Sequence, residues 1–172
     1  AAGDPRNFTD EALDAMARGL EPALDLAERH GVKLSVEAYL KCAVHSPERF
    51  LELKKRVRSE ALRVNVDVTS LYAYWDLWDP NPVIERTCTL LAGHYGLCHV
   101  KEVALAGGFH IHVNLAPLGS GPTDWTKVLG LVEPHLPGDS WVVLEHVQSL
   151  EEARESVRLL RGAAAAAGVA LI

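Results

Sequence analysis

Four short apolar runs, each followed by a stretch with helical spacing, limit this chain to a parallel α/β architecture. Ahead of them, residues 10 to 30 place Leu13, Met16, Ala17, Leu20, Ala23, Leu24 and Ala27 at helical spacing, with Thr9 as N-cap and Gly31 as stop. Lys33 to Tyr39 then reads as the first strand. Ser46-Pro47-Glu48 supplies an N-cap, a proline at the first helical position and a first-turn acid, opening a helix to about Ser59. The valine-rich run Arg63 to Val68 is the second strand. An aromatic loop from Tyr72 to Trp78 follows it, and then a helix from Asn81-Pro82 to Gly93 or Gly96. Leu97 to Val103 is the third strand, residues 103 to 123 form a long loop, and Asp124 caps a helix from Trp125 to about Glu133. Trp141 to Val147 is the fourth strand. Ser149 and Glu152 have the spacing of a capping box for the last helix, whose tail is the alanine run 163 to 167.

Parallel neighbours need a crossover connection, and the crossover is usually a helix, so strict alternation implies a parallel sheet. Two layouts compete. One is a doubly wound open sheet of four strands; the other is part of a (β/α)8 barrel, which takes about 250 residues and eight units. Four units make half a barrel, and half a barrel leaves the inward side chains of a parallel sheet uncovered, so it requires a partner segment. With 172 residues, 48% of them apolar and 23% charged, the chain fits one globular domain spanning 1–172. It lacks an initiator Met, as a processed, trimmed or incomplete chain would.

The net charge of -6, with Lys and Arg scattered among acids, offers no basic surface for a phosphate backbone, so nucleic acid is not an expected partner. No apolar stretch reaches the roughly 18 residues of a membrane span, and the N-terminus lacks the order of a signal peptide. Cys42, Cys88 and Cys98 are odd in number and without CxxC spacing, which argues against a disulfide framework and a zinc ribbon and fits a reducing cytoplasm.

Each strand ends on one metal-competent side chain: Glu37, Asp67, His99 and Glu145 in turn. In barrels and open α/β sheets alike, reactive groups gather at the carboxyl ends of strands, where loops shape a cleft and the sheet fixes the geometry. Three carboxylates and an imidazole suit one divalent ion, with Mn, Co, Mg and Zn all conceivable. A lone acid at a strand end is more often a cap or an ion-pair partner, but four on consecutive strands are harder to dismiss. His94, His110, His112 and His146 remain possible substitutes for His99 on composition alone.

In this order and spacing, Leu34-Ser35-Val36-Glu37, Asn65-Val66-Asp67, His99-Val100-Lys101-Glu102, Pro117-Leu118-Gly119-Ser120-Gly121 and Leu144-Glu145-His146 carry a likeness. The chain resembles the C-terminal half of the sugar phosphate isomerase/epimerase group of xylose isomerase-like TIM barrels. The resemblance implies that Glu37, Asp67, His99 and Glu145, from strands five to eight, hold one divalent ion, and that strands one to four come from a missing segment or another chain. It implies a metal-dependent isomerase or epimerase of a sugar or polyol, working by proton transfer through a metal-stabilised enediolate. Glu37 and Glu145 would be the general base and general acid. A dehydratase or lyase of a related polyol or glycoside on the same site is the alternative, and a non-catalytic barrel fragment or subunit a further one. A homo-oligomer is expected.

The substrate contacts are more open. Some relatives carry a histidine where this chain has Ser70, and many have an aspartate in place of Glu102. Lys101 reads either as a partner for a substrate anion or as an ion-pair partner of Glu102. His112, on the long loop with His110, and Trp75, beside Tyr74 and Trp78, are further candidates; the aromatics could equally pack the barrel mouth. Gly119 and Gly121 fit a turn before the next helix better than a phosphate cradle.

Overall fold

The computed structural model describes residues 3–171. Its first long element is α1 (Asp10–Arg29), begun where Thr9 Oγ1 accepts the Ala12 amide at 3.2 Å, and it buries Leu13, Ala17, Leu24 and Ala27 along one stripe. Among the described residues six strands follow: β1 (Leu34–Glu37), β2 (Leu62–Val66), β3 (Tyr95–Val100), β4 (Glu102–Ala106), β5 (His112–Ala116) and β6 (Val142–Leu144). Four of them form one parallel sheet in the order β1-β2-β3-β6. The crossovers carry α2 (Pro47–Val57), α3 (Asn81–Leu91) and α4 (Trp125–Val132), and α5 (Leu150–Ala167) follows the last strand.

The capping chemistry predicted from sequence starts most of these helices. Ser46 Oγ accepts the Arg49 amide at 3.3 Å, Asp124 Oδ1 the Lys127 amide at 3.0 Å, and Ser149 Oγ the Glu152 amide at 3.1 Å. The capping box of α5 is displaced by one residue: the Glu152 carboxylate accepts from the Gln148 amide at 2.8 Å. At α3 the N-cap is Pro80 and has no side-chain bond; the Asp79 carboxylate takes the Asn81 amide instead.

One element was not foreseen. The stretch expected to be a loop, residues 103 to 123, holds the antiparallel hairpin β4–β5, with Glu102 opposite Ala116 and Ala106 opposite His112. The expected third strand, Leu97 to Val103, is therefore two strands: β3 ends at Val100, and after Lys101 the chain leaves the parallel sheet as β4.

Period-two alternation divides the parallel sheet into two unlike faces. Val64, Val66, Cys98 and Val100 are buried on the helix side, in one core with Phe50, Leu53, Ile84, Leu91, Val128, Val132 and Leu160. Register places Ser35 beside Arg63, Glu37 beside Asn65 and Leu97, and His99 beside Val143 on the opposite face. A bulge where β2 meets β3 brings Gly96 onto that second face as well, with no room for a Cβ against Ser35 Oγ. Most of the second face is only partly covered: Val143 is 37% exposed, and Trp141 just before β6 is 75% exposed. Among the described residues, strands β1 and β6 each pair on one side only. Among the described residues no helix is long and apolar enough to cross a membrane, and all three cysteines are free thiols.

Candidate metal centre

The sheet register delivers the four strand-end residues to one place. Glu37 closes β1, Asp67 follows β2, His99 lies one residue before the end of β3, and Glu145 follows β6, its amide held by the Val100 carbonyl at 2.9 Å. One ligand atom from each of these four lies within 4.8 Å of every other. His94, His110, His112 and His146 are not in that group.

The site has two sides, and each glutamate contributes one oxygen to each. On the first side, His99 Nδ1 lies 2.7 Å from Glu145 Oε1 and 3.2 Å from Glu37 Oε2. Asn65 Nδ2 donates to that same Glu37 oxygen at 3.0 Å. On the second side, Lys101 Nζ donates to Asp67 Oδ2 in a short contact, to Ser70 Oγ at 2.9 Å and to Glu145 Oε2 at 3.2 Å, with Glu37 Oε1 at 3.7 Å. Ser70 Oγ is 3.0 Å from both Glu37 Oε1 and Asp67 Oδ2. Its single proton serves one of them at a time while it accepts from Lys101. Thr69 Oγ1 at 2.7 Å and the Ser70 amide at 3.1 Å occupy Asp67 Oδ1.

These contacts fit a divalent ion. His99 Nδ1 is buried and makes no hydrogen bond of acceptable geometry, although two carboxylate oxygens crowd it. A lone pair aimed at two anionic oxygens is repelled unless a cation or a proton lies among them. One nitrogen and carboxylate oxygens form a donor set suited to Mg, Mn, Co or Zn. Exposure separates the roles: the Asp67 side chain is 0% exposed, whereas those of Glu37 and Glu145 are 34% and 24% exposed. A small solute can reach the two glutamates and not the aspartate.

The remaining candidates separate clearly. Ser70 lies inside the cluster, tying Glu37, Asp67 and Lys101 together. Lys101 lies there too, and all three of its N–H groups are spent on Asp67, Ser70 and Glu145, which leaves none for a substrate oxygen in this arrangement. Burial works against its ammonium, but Asp67 and Glu37 more than offset this and hold its pKa above the ordinary lysine value. It does not pair with Glu102. The Glu102 carboxylate points away, accepting from Thr123 Oγ1 at 2.7 Å and Trp125 Nε1 at 3.1 Å, and burial raises its pKa. His112 sits at the far end of the hairpin, exposed, opposite Ala106. Trp75 is 60% exposed, edge-on to Tyr74 with ring centroids 4.8 Å apart.

Sequence reasoning did not single out Asn65 and Thr69 as site residues. The signal for Asn65 was available, since alternation puts it on the face of Asp67 and register puts it beside Glu37.

The profile of the xylose isomerase-like TIM barrel family matches residues 1–163. Among solved structures, a xylose isomerase-like TIM barrel protein from Mycobacterium smegmatis in complex with magnesium is similar, with a TM-score of 0.71 at 17% identity, over 97% of this chain and 53% of that one. A xylose isomerase domain protein from Planctomyces limnophilus superposes at 0.67 and 19% identity, covering 87% of this chain and 53% of the other. An L-ribulose 3-epimerase superposes at 0.66 and 14% identity, over 97% and 60%. The chain thus spans little more than half the length of these structures. No curated protein matches its sequence.

Proposed function

The chain belongs to the xylose isomerase-like TIM barrel family, and from that premise we propose that it works as a divalent-metal-dependent isomerase or epimerase of a sugar or polyol. The observation that carries this reading is the contrast in exposure within the cluster: two part-exposed glutamates, both close to His99 Nδ1, beside a fully buried aspartate. Glu37, Asp67, His99 and Glu145 would hold the ion. When bound, it supplies Lewis acidity toward adjacent hydroxyl and carbonyl oxygens of the substrate. The magnesium complex of the Mycobacterium smegmatis protein supports a hard divalent ion, and Mn, Co and Zn fit the same donors.

The protein's own groups then handle the proton. One of Glu37 and Glu145 removes it from the carbon beside the carbonyl, leaving an enediolate, and the other returns a proton, as general base and general acid. Asn65 donates to one oxygen of Glu37 and Ser70 lies beside the other, which restrains the carboxylate before substrate arrives. A dehydratase would begin with the same abstraction and differ only in a leaving group next to the enediolate. A probable 3-DHS dehydratase from Bacillus anthracis shares this fold, with a TM-score of 0.66 at 14% identity.

The open edges of β1 and β6 and the partly covered second face support the further proposal that four more βα units, from another segment or another chain, complete a (β/α)8 barrel around this site. Homo-oligomerisation belongs to the same proposal; mass and gel filtration measure it directly.

The test of function uses metal analysis and turnover in D2O on a panel of ketoses and an inosose, comparing the protein with Glu145→Gln. Bound metal, solvent deuterium entering the substrate carbon and loss of both in the variant are expected. Equal metal content and equal activity in the two proteins would sink the site. Product identity separates isomerisation from dehydration.

A further inference from the structure

The three carboxylates of the centre carry a charge of −3 between them, more than one divalent ion neutralises. Lys101 contacts all three, and does so on the oxygens turned away from His99: Asp67 Oδ2, Glu145 Oε2 and Glu37 Oε1. The oxygens near His99 are Glu145 Oε1 and Glu37 Oε2. The two sides therefore do not compete for the same oxygens of the glutamates: an ammonium on one leaves His99 Nδ1, Glu145 Oε1 and Glu37 Oε2 open to a metal ion, and Asp67, whose Oδ2 takes Lys101, is the one carboxylate that the two cations would share. Lys101 is fixed there by burial, with its side chain 10% exposed, and by Ser70 Oγ, which accepts from it at 2.9 Å.

We propose that Lys101 is a built-in counter-ion that reduces the centre to a net charge of −2 and thereby selects a divalent over a trivalent ion. The proposal rests on the metal-centre reading above and goes beyond it by giving a residue outside the four ligands control of which ion is held. Lys101 is a positioning residue, acting through the carboxylates. The effect is one of charge: a fixed positive charge a few ångströms from the ion repels a trivalent ion more than a divalent one of similar size, and in a partly buried site water screens this poorly. Removing it favours the trivalent ion selectively, whereas a merely looser site loses both ions together.

The experiment measures Mn2+ binding by the EPR signal of the free ion and Tb3+ binding by its luminescence, at one pH, on the protein and on Lys101→Met and Lys101→Arg. The affinity ratio of Tb3+ to Mn2+ is expected to rise by about tenfold or more in Lys101→Met and to return toward the wild-type value in Lys101→Arg. Lys101→Gln, with a polar tip, replaces Lys101→Met if the latter does not fold. A ratio in the neutral variant within about threefold of wild type overturns the proposal, as does an equal shift in Lys101→Arg, which would trace the effect to shape rather than charge. Wild-type protein that binds neither ion overturns the metal centre itself and the role of Lys101 with it.

Discussion

Gly121 and Gly96 both lack room for a side chain, yet Gly121→Ala should be much the more damaging. A Cβ at Gly121 would fall 2.5 Å from Glu102 Oε1 and 2.6 Å from Glu102 Cδ, and closer still to the Val103 carbonyl oxygen. Real Cβ atoms essentially never come within 3.0 Å, so the carboxylate must move by at least about 0.5 Å. It cannot do so freely, because Thr123 and Trp125 hold it and the other obstacle is backbone at the start of β4. Overpacking of this kind costs about 1–3 kcal/mol, and a weakened hydrogen bond to a buried carboxylate adds to it. Reduced freedom of the unfolded chain returns about 0.4–1 kcal/mol. A net loss of about 2–3 kcal/mol follows, which lowers Tm by about 4–12 °C in a domain of this size. At Gly96 the crowding atom is Ser35 Oγ, the end of a side chain that can rotate, with Arg63 Cβ next at 3.0 Å. Its cost should stay near 1 kcal/mol, within the ordinary range of single substitutions. Circular-dichroism melts of the two variants beside wild type decide the matter. Gly121→Ala within 1–2 °C of wild type, or Gly96→Ala melting below it, would refute the reasoning.

The raised pKa of Glu102 makes its contribution depend on pH. A carboxyl whose native pKa lies above its unfolded value of about 4.3 contributes stability that is fully present below that value and is lost as pH rises through the native pKa. Glu102→Gln does not titrate, so the stability of wild type relative to the variant should decline from pH 4 toward neutrality in urea midpoints; a constant difference contradicts the assignment. Trp75→Ala should change stability by less than about 0.5 kcal/mol, because the ring is largely exposed. If the ring stacks on a sugar, KM rises with kcat unchanged, and an unaltered KM denies it a substrate role.

The alternation of strand and helix was legible because each signal is local: Ser46-Pro47, Asp124 and Ser149 cap helices whatever surrounds them. That Glu37, Asp67, His99 and Glu145 come together was legible for a different reason, since parallel strands in register end along one edge of the sheet. The hairpin was not, because Val103-Ala104-Leu105-Ala106 is apolar without alternation and His112-Val113-Asn114-Leu115-Ala116 alternates only over a few residues. A pairing of Lys101 with Glu102, one of the two readings open for Lys101, rested on adjacency in sequence, whereas neighbouring residues in extended chain face opposite ways. That rule sends Lys101 into the site and Glu102 toward Thr123 and Trp125. Ser70 showed the converse. It was noted for a missing histidine, and its bridging hydroxyl depends on a turn of 3-10 helix, Thr69–Leu71, that brings it back over Asp67.

The hairpin leaves the sheet after Lys101, and the chain is gathered again at Gly121, where the Glu102 carboxylate and the Val103 carbonyl fill the space of a side chain. The excursion is thereby stapled at its neck. Exchange of the hairpin tip, residues 106 to 112, is expected to leave Lys101 and Glu145 in place as long as Glu102, Gly121, Thr123 and Trp125 stay. The hairpin thus varies behind a border of Glu102, Gly121, Thr123 and Trp125, set apart from the strands that carry Glu37, Asp67 and His99.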